Sequence, residues 1–207
     1  TNNPSFETPN FTDGSTMHCD NSGLTSNHCS DQNGVPGWIT TATDHTIEVW
    51  RKTPGSESVA STSTVGIPGD FNAAAGNQFI ELNAYEVAAV YQDFNTPYPT
   101  TFTVRFSHRG RGGPNNNGKD VCVVYAGSAS ASITALTGLL TATDTKSAWG
   151  TYTTTYNVPP GQTVTRFAFG AITSASGGVG AGNFLDDIQF TANNSINGTG
   201  QIALSCT

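Results

Sequence analysis

From residue 45 onward the chain is a series of short runs in which apolar and polar residues alternate, each closed by Gly, Pro or Asn, and that punctuation constrains the fold more than any other feature. The runs are HTIEVWR, NQFIELN, VYQDF, TTFTVRFSH, DVCVVYA, WGTYTTTYNV, TVTRFAFGA, NFLDDIQF and QIALSC, separated by stretches such as IPGD, TPYPT, RGGPNNNGK and VPPGQ. Alternation with period two suits a strand buried on one face, and Gly, Pro and Asn supply the backbone angles that turns require. Nine such strands without convincing helices between them pair antiparallel rather than in βαβ units. Composition agrees: Thr, Ser, Asn and Gly make up 43% of the 207 residues, and only 11% are charged. That mixture favours strands and turns over helices. The expected architecture is an all-β antiparallel sandwich in one domain over 1–207, because this length leaves little room for two cores. One turn of helix is expected at AYEVAA (84–89), and residues 8–36 read as a long polar insertion.

A net charge of −7 with eight Lys and Arg leaves no basic surface to track phosphates, so nucleic acid is excluded as a partner. No run of eighteen apolar residues occurs, so no helical membrane span is expected. Four cysteines, three lysines and the Thr/Asn/Gly richness point to an extracellular chain. His18-Cys19 and His28-Cys29 invite a zinc reading, but adjacent residues on extended backbone point to opposite sides. The simpler expectation is a Cys19–Cys29 disulfide stapling the insertion, with Cys122–Cys206 tying the last strand to the middle of the sandwich; this is one of three connectivities.

Alternation assigns faces. Phe102, Val104 and Phe106 oppose Thr103, Arg105 and Ser107; Ile47 and Val49 oppose Glu48 and Trp50; Ile80 and Leu82 oppose Phe79, Glu81 and Asn83. Glu48, Glu81 and Arg105 thus share a sheet surface beside Trp50, which is either a binding groove or a set of cross-strand ion pairs. Sugar sites combine a flat aromatic face with a few oriented polar groups. Glu48, Trp50, Tyr85, Arg105 and Arg109 are the candidate ligand residues, with Glu81 and Trp38 next, although Trp38 in VPGW reads first as a core plug. His108, Arg109 and Arg111 form a local basic cluster that either grips an acidic group or pairs with Asp93 or Asp120. Glu48 and Glu81 are also the one candidate pair for a glycosidase, but no flanking motif supports catalysis and no G-x-S-x-G occurs. The expectation is a protein without catalytic activity.

NFLDDIQF sets an Asp among apolar neighbours whichever face is buried. That carboxylate needs an Arg, backbone donors or a hard cation, and calcium takes six to eight oxygens of mixed origin. The opening NPSFE, VPGW at 35–38, IEVW at 47–50, GNQFIELNA at 76–84 and the closing NFLDDIQF together resemble the galactose-binding-like jelly-roll modules, among them carbohydrate-binding modules of polysaccharide-degrading enzymes. The resemblance implies a structural calcium held by Glu7 with Asp186 or Asp187. The insertion at 8–36 and the HRGRGGPNNNGK stretch are departures from it, so a ligand site does not transfer. The expected function is noncatalytic extracellular recognition of a polysaccharide or glycan, stabilised by calcium. The alternatives are an adhesive module binding other surface proteins and a small secreted glycoside or ester hydrolase.

Overall fold

The structure, a computed structural model, describes residues 2–10, 27–51, 72–111, 118–174 and 179–193, without the side chains of 27–31 and 51. Among the described residues eleven strands form in this order: β1 (Asn27–Asp31), β2 (Ile39–Thr40), β3 (Thr46–Arg51), β4 (Gln78–Glu81), β5 (Ala89–Asn95), β6 (Thr101–Arg109), β7 (Asp120–Ser128), β8 (Thr137–Asp144), β9 (Gly150–Asn157), β10 (Val164–Thr173) and β11 (Phe184–Asn193). They build a six-stranded sheet ordered β1-β3-β4-β11-β6-β9 and a five-stranded sheet ordered β2-β5-β10-β7-β8, with every pairing antiparallel. The described helical elements are two three-residue 3₁₀ turns, at Gln32–Gly34 and Ile133–Ala135. Residues 84–87 are a bend rather than the expected helical turn. Among the described residues no helix is long and apolar enough to cross a membrane.

Eight of the nine expected strands are present, and QIALSC lies outside the described residues. β1, β2 and β8 were not anticipated. β8 escapes a period-two reading because its pairing with β7 shifts register between Val124 and Tyr125, which breaks the alternation at Leu139 and Leu140. The core lies between the sheets and is built from the inward sets that alternation assigns: Ile47 and Val49, Ile80, Phe102 with Val104 and Phe106, and Phe167 with Phe169. Burial of one such aromatic side chain contributes about 1.5–3 kcal/mol.

The start of the chain completes this core. Phe6 is fully buried with its ring 5.2 Å from that of Trp38, whose indole N–H donates to Asn3 O at 3.0 Å. Pro4 O accepts from Ile188 N at 2.9 Å, so the N-terminal segment runs beside β11. Trp38 is the core plug expected of VPGW.

The expected Cys122–Cys206 bridge has its second cysteine outside the described residues. The Cys122 side chain has no exposed surface and faces the core from β7, and burial pushes its thiol pKa far up. Cys19 and Cys206 lie outside the described residues, and only the backbone of Cys29, in β1, is described.

Candidate functional site

The outer face of the six-stranded sheet is set by register. Glu48 stands opposite Glu81, Glu81 opposite Phe184, and Phe184 opposite Arg109, so these four side chains form one row across β3, β4, β11 and β6. Trp50 and Phe79 pair in the next row. The structure therefore brings Glu48, Trp50, Glu81 and Arg109 together, but as a buried cluster: their exposures are 3%, 3%, 2% and 7%. Trp50, Phe79 and Phe184 pack edge to face, with ring centroids 5.7 Å apart for Trp50 and Phe184 and 5.0 Å for Phe79 and Phe184. Trp149 packs against Phe79 and donates its indole N–H to Asn72 O at 2.8 Å.

Glu81 is the polar centre of this cluster. Its carboxylate accepts from Trp50 Nε1 at 2.9 Å, from the Arg111 guanidinium at 2.9 Å on each oxygen, and from Gly182 N. Arg111 lies over the Trp50 ring, 5.1 Å from its centroid. Burial pushes the Glu81 carboxyl above its ordinary range, while Arg111 and the other donors pull it back. Asp120 accepts from Arg111 N at 2.7 Å and Asn183 N at 3.0 Å. Glu81 and Asp120 together fasten Arg111, the second residue after β6, to the backbone just before β11. Arg111 is a cation that pairs with a carboxylate here; the Arg109 guanidinium donates to Lys146 O, and burial lowers its pKa. The third residue of the basic cluster, His108, turns inward from β6, where its ring meets Asp144 at 2.8 Å and Asn183 at 3.0 Å.

The remaining ligand candidates lie apart. Arg105 pairs with Asp187 at the solvated end of the same face, with its side chain 40% exposed. Tyr85 sits in the 84–87 bend, 49% exposed.

The metal candidates divide as well. Glu7 Oε1 accepts from Asn77 N at 2.6 Å and Gln78 N at 2.7 Å, and Asp186 Oδ2 accepts from Ala75 N at 2.9 Å. Both carboxylates therefore converge on the 74–78 segment. Gly76 makes this possible: its φ is +68° and any Cβ there would collide with the Glu7 carboxylate. The Asp186 carboxyl is pushed up to about 8 by burial, with backbone N–H groups as its partners and, among the described residues, no cationic side chain as a cause of its shift. Asp187, held at φ +49° in the bulge where β11 shifts register against β6, turns instead to Arg105 and to Gln189, whose Nε2 donates to it at 2.8 Å. Among the described residues no group of three or more His, Cys, Asp or Glu gathers as a metal site.

The five-stranded sheet carries a second surface, which the sequence reading missed. Tyr91 on β5 stands opposite Ala168 on β10, and Ala168 opposite Tyr125 on β7, so two tyrosines share one row with a methyl group between them. They are two strand spacings apart, about 10 Å. The Tyr125 ring lies low over the sheet: a Cβ at Gly170 would meet its Cε2 at 3.1 Å, and one at Gly138 would meet its Cε1 at 3.9 Å. Arg166 lies 3.9 Å over the Tyr91 ring and is held by Asp93 through two bonds of 2.7 Å. Both tyrosines remain partly exposed, and Ile39 and Ile172 are 40% and 47% exposed on the same sheet. The signal available in the sequence was Arg166-x-Ala168-x-Gly170 opposing Phe167 and Phe169 on β10: an outward set made of small residues, which marks a floor.

The chain matches no protein-family model and no curated protein. Among solved structures, a Stig cyclase, Fisc, from Fischerella sp. TAU is 17% identical with a TM-score of 0.52, and a second cyclase from the same organism is 16% identical with a TM-score of 0.53. Each alignment covers 93% of this chain and 95% of the other. Carbohydrate-binding modules are also among the structural neighbours: TmCBM61, solved with beta-1,4-galactotriose, is 13% identical over 93% of this chain and 97% of its own, with a TM-score of 0.49. Two packed antiparallel sheets and the likeness to the two cyclases make the chain a jelly-roll β-sandwich, a likeness of fold alone.

Proposed function

We propose that the chain is a noncatalytic extracellular carbohydrate-recognition module whose binding face is the outer surface of the five-stranded sheet. The observation that carries this reading is the Tyr91–Ala168–Tyr125 row. Two partly exposed tyrosines, on strands about 10 Å apart, flank a floor of small residues, so an extended sugar chain laid across the strands reaches both. The outward charges of those strands, Arg166 and Asp93, neutralise each other in a two-bond ion pair, which favours a neutral polysaccharide over an acidic one. On the opposite face Trp50, Glu81 and Arg109 serve as scaffold, because side chains so deeply buried have no ring or oxygen to offer a sugar. The hydrolase reading weakens for the same reason: each Glu81 oxygen already accepts two donors, and a general acid must reach the substrate oxygen that it protonates.

The test is affinity electrophoresis or pull-down against a panel of neutral and acidic polysaccharides. Tyr91→Ala and Tyr125→Ala are each expected to weaken retention on a neutral polysaccharide about tenfold, in line with the roughly 1.5 kcal/mol of a lost aromatic contact. Retention unchanged in both variants overturns the assigned face, and no retention of wild type on any polysaccharide overturns the function.

A structural calcium at Glu7 and Asp186 belongs to the same proposal. In its favour, Asp186 is a buried carboxylate without a cationic partner among the described residues, and the Gly76 cradle brings Glu7 to the same short segment. Glu7, Asp186 and carbonyls of 74–78 would hold the ion, and Asp187 is left to Arg105. A hard cation there neutralises a charge that burial otherwise penalises.

A further inference from the structure

Among the described residues the six-stranded sheet ends in β1 on one side and β9 on the other, and the β9 backbone can be read from its ladder with β6. Thr101 pairs with Asn157, and Val158 N donates to Thr100 O at 2.9 Å, one step along the same register. Hydrogen-bonded and non-bonded pairs alternate in an antiparallel ladder. Tyr152, Thr154 and Tyr156 therefore direct their N–H and C=O groups to β6, and Thr151, Thr153, Thr155 and Asn157 direct theirs away from the sheet. The side chains of those same four residues are exposed.

Edge strands are usually protected by a charge, a proline, a bulge or short length. β9 has none of these: GTYTTTYN is eight residues without a charge or proline, and its register with β6 is unbroken. Both edges of the five-stranded sheet are guarded. β2 is two residues long, and β8 carries a register shift and ends in Asp144.

We propose that β9 pairs antiparallel with β9 of a second copy of this chain, about a two-fold axis through Thr154. The occupant is chosen by the sequence of the strand itself, since Tyr152 to Tyr156 reads the same in both directions. In that register Thr153 faces the second copy's Thr155, and Thr151 faces its Asn157. Every outward N–H and C=O of the four residues then gains a partner. Thr lies opposite Thr on the outer face and Tyr152 opposite Tyr156 on the inner, both favourable cross-strand pairs. An uncharged seam also lets two chains of charge −7 meet without like charges at the contact. The contact is isologous, so it closes as a dimer and does not propagate.

Sedimentation velocity over a concentration series tests this. Wild type is expected to sediment at twice the monomer mass. Thr153→Pro, which removes an N–H that makes no bond within the chain, is expected to be monomeric with an unchanged circular dichroism spectrum. Thr153→Lys with Thr155→Lys places like charges opposite each other across the axis and is expected to be monomeric. Thr153→Lys with Thr155→Glu places opposite charges there and is expected to restore the dimer. Wild type that stays monomeric across the series overturns the proposal, as does a Thr153→Pro dimer. If Thr153→Pro fails to fold, the two charge variants decide: equal mass in both overturns the pairing.

Discussion

Replacing Glu81 by Gln separates a scaffold from a reactive site. Gln keeps the shape but turns one oxygen into an NH₂ group. Because each Glu81 oxygen accepts two donors, whichever is replaced leaves two donors facing a donor, and the Arg111 charge loses its counter-ion. Breaking a buried pair from one side costs about 3–5 kcal/mol. At a urea slope of roughly 2.5 kcal/mol/M, that lowers the unfolding midpoint by about 1.5 M. The assay is equilibrium unfolding followed by tryptophan fluorescence, which reports locally because the Trp50 indole N–H bonds to Glu81. Arg111→Met alone leaves the carboxylate buried without a cation and is expected to cost a similar amount. The double variant, whose Met side chain retains apolar contact with Trp50, is expected to lie within about 1–2 kcal/mol of wild type, because buried ion pairs contribute little net stability over apolar replacements. A Glu81→Gln cost below about 1 kcal/mol, or a double variant as unstable as the two single costs added together, would refute this account of the cluster.

Two further expectations concern Asp186 and Cys122. The folded-state pKa of Asp186, about 8 without metal, lies above its unfolded value of 3.8, so the native state binds the extra proton between these limits and metal-free stability falls as pH rises from about 4 to 8. That loss is at most about 4 kcal/mol by pH 7. Calcium should therefore raise the melting temperature more at pH 8 than at pH 5, and a chelator should lower it at neutral pH; a melt indifferent to both refutes the calcium site. Cys122, a buried thiol whose pKa is driven up, is expected to resist alkylation in the native protein and to react on unfolding, read by mass spectrometry of its peptide. Rapid native labelling of that peptide refutes its place in the core.

Period-two alternation was enough to place Phe102, Val104 and Phe106, Val49 and Ile80, and Phe167 and Phe169 on the inside, because on a strand the side of the sheet follows from residue parity alone. The same parity put Glu48, Trp50 and Glu81 on one shared face. It carried no information about what lies above that face, and the depth at which Trp50 and Glu81 sit depends on Phe184, Trp149 and Arg111, which arrive from positions 30 to 134 residues away in the chain. Parity also fails where register slips, which is why β8 was invisible and why Asp186 and Asp187, adjacent in sequence, part at a bulge toward different partners.

What the sequence determined by itself was local: strand periodicity, turn chemistry, the all-β class, and the inward and outward sets of each strand. What only the tertiary structure decided was strand order, because order selects which outward residues become neighbours. It put Tyr91 and Tyr125 on either side of Ala168, joined Arg111 to Glu81, and left β9 at an edge. Alternation repeats identically on every strand and so distinguishes two faces, whereas a binding site is a set of residues on different strands, fixed only when the sheets assemble.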